Sequence, residues 1–206
     1  SKKRKLKLLD ISKHKSKTKN ICSFLPGNFQ KKNLLMAILA SRICGVKNSK
    51  ISRILKKINS IDGRLELVKK YPNNIKVFID YAHTPEALSE AIKSIKETFS
   101  SNNVSLVFGC GGERDFKKRS LMAKIAKSHC KKIYVTDDNP RKENPAKIRK
   151  EIINNLKGST YFNLGDRSKA IKHSLLNAEP NEIILIAGKG HEKYQDYGHK
   201  VISISD

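Results

Sequence analysis

From residue 76 onward the chain repeats one pattern, a short apolar stretch followed by a longer one with helical apolar spacing. Strand-like stretches at 76–80, 104–108, 132–136, 160–164 and 182–187 alternate with helix-like stretches at 84–98, 116–129, 145–156 and 166–177. Strands separated by single helices cannot close as hairpins and need crossovers, which lay the strands parallel and cover both faces of the sheet. The expected fold is therefore α/β, with a Rossmann-like, mostly parallel, doubly wound sheet. Residues 200–205 read as a last strand on its edge.

Upstream the grammar differs. An apolar helical pattern over 34–44 stops at Gly45, as helices commonly do. A second helix is expected over 49–58, with Ile51, Ile54, Leu55 and Ile58 on one face. These helices have no sheet of their own to cover, so residues 1–62 read as the end of a domain whose body lies upstream. The turn-like run at 60–64 is the boundary, and 63–206 the second domain. Residues 1–19 carry nine Lys and Arg against Asp10 and read either as a basic arm or as a strand without its partners. The first residue is Ser1, so the chain is expected to be a fragment of a longer protein.

The formal net charge of +24 raises the question of nucleic acid. Lysine is spread over nearly every segment, tryptophan is absent, and no aromatic-plus-arginine platform for stacking bases stands out. Solvated lysine-rich surfaces are the expectation, without a specific nucleic-acid partner. Cys22, Cys44, Cys110 and Cys130 are scattered and show neither zinc-ligand nor disulfide spacing, which points to reduced thiols and no metal site. No apolar run is long enough to span a bilayer or to form a signal peptide, so a soluble, cytoplasmic protein is expected.

Chemistry gathers at the carboxyl ends of the strands, where open α/β sheets bind ligands. After 132–136 come Asp137, Asp138, Asn139, Pro140 and Arg141. Proline stops the strand, and a guanidinium beside an amide and carboxylates can read both charges of a zwitterion. After 76–80 come Asp80, Tyr81, Ala82, His83, Thr84 and Pro85, with Thr84 suited to cap the next helix. After 104–108 stand Gly109, Cys110, Gly111, Gly112, Glu113, Arg114 and Asp115, then Lys117, Lys118 and Arg119. Glycines there permit close backbone approach, and exposed N–H groups entering a helix favour an anion; a tight turn with solvated charges is the alternative. After 182–187 come Gly188, Lys189, Gly190, His191 and Glu192. Any one of these loops could be an ordinary turn; on one rim they make a polar binding site.

Taken in order with Gly63, Arg64 and Glu66, these motifs resemble the Mur ligases over about residues 20–206, and most closely the members that add a diamino acid. The resemblance makes 1–62 the end of the family's central ATP-binding domain and 63–206 most of its C-terminal, Rossmann-like domain. It implies ATP-dependent amide synthesis in peptidoglycan-precursor assembly. ATP phosphorylates the glutamate side chain of UDP-MurNAc-L-Ala-D-Glu, and meso-diaminopimelate attacks the acyl phosphate. By the family pattern Arg114, Asn139, Arg141, Gly188 and Glu192 hold the diamino acid, with Asp138 and Pro140 completing the motif, and Arg64, Asp80 and His83 lie on the nucleotide side. No Gly-x-x-x-x-Gly-Lys-Ser/Thr loop occurs, so ATP and Mg2+ are expected to be bound mainly by the missing upstream part, leaving this fragment inactive alone. The implied partners are small molecules, and the implied state is a monomer. The alternatives are a cyanophycin- or folylpolyglutamate-type ligase on the same plan, or a non-catalytic basic module that binds nucleic acid.

Overall fold

The structure, a computed structural model, describes Asp10 and residues 25–206. The basic stretch 1–19, apart from Asp10, lies outside the described residues, as does Cys22. The chain divides into two compact units, one up to Asn59 and one from Ser60 to Asp206.

The first unit contains α1 (Asn28–Ile43) and α2 (Asn48–Leu55). Leu35, Ile38 and Leu39 recur at helical spacing and form the buried stripe of α1, and Ile51 is the buried residue of α2. The helix α1 begins earlier than the apolar pattern suggests, because its first turn is polar apart from Phe29 and starts from Gly27 at φ 86.

The second unit runs β1 (Glu66–Lys70), β2 (Lys76–Asp80), α3 (Pro85–Phe99), β3 (Val104–Phe108), α4 (Lys117–His129), β4 (Lys132–Val135), α5 (Pro145–Ile153), β5 (Thr160–Asn163), α6 (Arg167–Leu176), β6 (Ile183–Ala187), β7 (Tyr194–Asp196) and β8 (Val201–Ser203). The first six strands form one sheet in the order β1-β2-β6-β3-β4-β5, parallel from β2 to β5 and antiparallel only at the β1 edge. The chain moves outward from β2 to β5 and then returns to insert β6 between β2 and β3. Right-handed crossovers require the outward helices and the returning helix to lie on opposite faces. Accordingly α3 packs on α4 and α4 on α5, while α6 lies against β3, β4 and β6.

Period-two alternation divides the strands between the two layers. Val77, Ile79, Val107, Tyr134, Ile184 and Ile186 join Ala170 of α6 in one core, with Ile171 and Leu175 packed against it. Phe78, Leu106, Phe108, Ile133, Val135 and Leu185 point the other way and are all buried. Thr84 caps α3 by accepting from the Ala87 N–H at 3.2 Å, and Asp166 caps α6 by accepting from Lys169 at 3.0 Å.

Two elements differ from the sequence reading. Val201–Ser203 is not on the edge of the main sheet; it pairs antiparallel with Tyr194–Asp196 as a separate hairpin. The β1 strand was not anticipated, because its residues after Glu66 are all exposed and carry no buried pattern. No described helix is long and apolar enough to cross a membrane.

Candidate functional site

Parallel pairing brings the carboxyl ends of β2, β6, β3 and β4 to one edge of the sheet, and each delivers a polar loop there. In the loop after β4, Asn139 is buried and both its side-chain oxygen and its nitrogen are hydrogen-bonded. Its Oδ1 accepts from Lys189 Nζ at 3.0 Å and from the Asp196 N–H at 3.0 Å, and its Nδ2 donates to Glu192 Oε2 at 3.2 Å. Pro140 is buried and makes the turn, and Arg141 follows with φ 52. The Arg141 guanidinium donates to Gly112 O at 2.8 Å, and its Nε stands 3.9 Å from Asp196 Oδ2. Asp138 accepts from the Asn139 N–H through Oδ1 at 2.7 Å.

In the loop after β6, Gly188 has φ 116, and a Cβ there would come within 2.8 Å of Asp138 Oδ2. Glycine is therefore required for this backbone to approach Asp138. Glu192 accepts from Tyr81 Oη at 3.2 Å and from Lys189 Nζ at 3.1 Å as well as from Asn139. Burial alone would raise its pKa, but the Lys189 ammonium, the Asn139 amide and the Tyr81 hydroxyl together hold it below the usual carboxylate range. It is an ionised acceptor at neutral pH.

The loop after β3 folds under the loop after β4. The Gly112 N–H donates to Asn139 O at 2.9 Å, and a Cβ on Gly112 would run into Pro140 O. Arg119, which a tight turn with solvated charges would expose, is 1% exposed. It donates to Glu143 at 2.9 Å and to Glu151 at 2.7 Å, and reaches Gly111 O at 3.4 Å. Its charge ties α4 and α5 to the glycine turn. Arg114 stays exposed, with no hydrogen bond or ion pair to any described residue. Cys110 is buried, which pushes its thiol up to about 12 and leaves it neutral and inert.

In the loop after β2, Asp80 accepts from the Leu65 N–H and the Ala82 N–H, each at 2.7 Å. Burial raises its pKa further than these bonds and Arg64 lower it. The Arg64 guanidinium lies 4.4 Å over the ring of Tyr81, which also packs against His83 and His191. His83 is exposed, with Nδ1 2.9 Å from Tyr81 O.

These loops surround one cleft of about 570 Å³. Of the residues singled out from the sequence, His83, Arg114, Asp138, Asn139, Arg141, Gly188 and Glu192 line it. Arg64, Asp80 and Pro140 stand behind it and shape its loops. Tyr81 and Lys118 also line it, and Lys189 lies just beneath. A lysine flanked by glycines three residues before a glutamate is the signal that could have found Lys189. Two guanidinium groups, Arg114 and Arg141, and the carboxylates of Glu86, Asp115, Asp138 and Glu192 around one cavity suit a small molecule carrying both ammonium and carboxylate groups. Among the described residues no group of three or more His, Cys, Asp or Glu is placed to hold a metal ion.

Residues 63–190 match the family described as Mur ligase, glutamate ligase domain. The chain is 41% identical over 189 residues to the UDP-N-acetylmuramoyl-L-alanyl-D-glutamate--2,6-diaminopimelate ligase of Rickettsia felis, a match covering 90% of this chain and 35% of that protein. It is 38% identical over 187 residues to the protein of that name in Bacillus cereus, covering 91% of this chain and 38% of the relative. A solved structure of a ligase with that name superimposes with TM-score 0.67 at 33% identity, over 88% of this chain and 37% of that one. The UDP-N-acetylmuramate-alanine ligase of Thermotoga maritima shares the fold, with TM-score 0.65 at 22% identity over 81% of this chain and 35% of that one. The chain spans little more than a third of the length of the curated relatives it matches.

Proposed function

This chain belongs to the Mur ligase family, and on that footing we propose that it is the amino-acid-binding part of an ATP-dependent ligase joining meso-diaminopimelate to UDP-MurNAc-L-Ala-D-Glu. In this reading residues 63–206 are the C-terminal domain and 1–62 the end of the central ATP-binding domain. The enzyme works in the cytoplasm on small molecules, as a monomer with no specific nucleic-acid partner.

One observation carries the substrate assignment. Arg114 and Arg141 share the cleft with Asp138 and Glu192, which matches the paired ammonium and carboxylate groups of a diamino diacid. Arg141 and Arg114 take carboxylates, Glu192 and Asp138 take ammonium groups, and Asn139, Pro140 and Gly188 set the loop geometry. A carboxylate entering such a cleft without a cation to meet it costs several kcal/mol. On this reading Arg64, His83 and Asp80 belong to the nucleotide side, Asp80 through the loop whose N–H groups it binds.

ATP supplies a phosphoryl group that turns the acceptor carboxylate into an acyl phosphate, releasing ADP. The neutral amine then attacks the acyl carbon, an amide forms, and inorganic phosphate leaves. The residues of this chain hold the amine in attack geometry, which is a large share of what such a reaction requires. No described residue is placed as a nucleophile, and none is needed for direct attack by the substrate amine. ATP and magnesium are held mainly by residues other than these.

The test uses the complete gene product containing this chain, supplied with ATP, UDP-MurNAc-L-Ala-D-Glu and either meso-diaminopimelate or L-lysine. Phosphate release that depends on the acceptor and prefers diaminopimelate is expected. A preference for lysine, or turnover independent of the acceptor peptide, would overturn the proposal.

A further inference from the structure

Lys189 is 1% exposed, and a lone ammonium at that depth would be strongly unfavourable. It is stabilised by Glu192 Oε2 at 3.1 Å, by Asn139 Oδ1 at 3.0 Å and by the Tyr194 ring at 5.5 Å. The Asn139 amide is oriented by the same contacts. Its oxygen faces the Asp196 main-chain N–H, which can only donate, and the Lys189 ammonium, which can only donate. The amide NH2 is thereby turned onto Glu192 at 3.2 Å. A carboxylate offers about four acceptor sites, and Tyr81, Lys189 and Asn139 occupy three of them on Glu192. The capacity that remains belongs to a carboxylate lining the cleft.

We propose that Lys189 is a positioning residue: its buried ammonium orients the Asn139 amide and holds Glu192 as a charged acceptor for the ammonium of the incoming amino acid. This rests on the functional reading above and adds a residue that does not itself touch the ligand. The loop after β6 then carries its own counter-charge, and Glu192 has one arrangement rather than several. The other charged and titratable groups around Glu192 are Tyr81 with Arg64 over its ring, Tyr194, and Arg167 from α6. Asp138 and Arg141 share the cleft, and His191 packs against Tyr81. Among these only Lys189 is a cation hydrogen-bonded to the carboxylate.

The experiment is steady-state kinetics on the complete gene product, with wild type, Lys189→Met, Glu192→Gln and the double variant. Lys189→Met is expected to raise KM for meso-diaminopimelate at least about tenfold, the loss of a charge-assisted contact, with KM for ATP unchanged. The acid limb of kcat/KM for the amino acid should move to higher pH, because Glu192 loses the cation that keeps it ionised. The double variant should match Glu192→Gln to within about twofold, since Lys189 acts through that carboxylate. Additive losses, an equal rise in KM for ATP, or an unmoved acid limb would overturn the proposal. If Lys189→Met does not fold, the double variant, which leaves no buried charge unpaired, still gives the comparison with Glu192→Gln. Wild-type turnover without use of diaminopimelate would bring down both readings, whereas wild-type use with insensitive variants would bring down only this one.

Discussion

Arg141 donates through Nη1 to the carbonyl oxygen of Gly112 at 2.8 Å, which locks the loop after β4 onto the loop after β3. Its backbone N–H is also taken, by Asp196 O at 3.0 Å. Nη2 makes no hydrogen bond within the described chain, so the guanidinium is aimed by one edge and open at the other.

Arg141→Ala should therefore reduce diaminopimelate use at least about tenfold, in keeping with the roughly 2–5 kcal/mol lost when one side of a charge-assisted pair is removed. Any residual use of lysine should fall much less, because lysine has no second carboxylate to strand. Rates with both amino acids decide the point. Equal losses would mean that Arg141 serves only to support the Gly112 turn.

Gly112→Ala probes the seam itself. The added methyl would meet Pro140 O, which is main chain and cannot swing aside, while the Gly112 N–H must keep its bond to Asn139 O at 2.9 Å. Overpacking of this kind costs about 1–3 kcal/mol, so thermal unfolding should show a lowered midpoint together with weaker amino-acid use. A variant with wild-type Tm and wild-type KM would show that the two loops are not rigidly joined.

Glu143 links stability to pH. Burial raises its pKa, but the Glu113 N–H and Arg119 lower it more, so the folded value lies below the unfolded one. Its stabilisation is then fully present above the unfolded value of about 4.3 and is lost as pH falls through the folded one. Glu143→Gln should lower stability at neutral pH and flatten the decline below about pH 4. Denaturant unfolding across that range reads both effects. An acid decline as steep as that of the wild type would place the acid-sensitive groups elsewhere.

The sequence alone determined the strands β2, β3, β4 and β6, the helices between them, and the rim that carries the polar loops. Central parallel strands are buried on both faces, so each must be a continuous apolar run, and single-helix spacing leaves no pairing but parallel. The motif residues at the strand ends were legible for the same reason. Tertiary structure alone decided the rest. β1 lies on an exposed edge, with Leu67 45% and Val68 41% exposed, and is a strand only because β2 offers it a partner. Val201–Ser203 lies outside the main sheet because its partner is Tyr194–Asp196. The burial of Arg119 could not be read locally, and that of Lys189 only in part, through Glu192 three residues on. Arg119 depends on Glu143 and Glu151, 24 and 32 residues away, and Lys189 on Asn139, 50 residues away. A charge can be taken out of water only where its counter-charges and acceptors are already assembled, and it is the folded chain that assembles them.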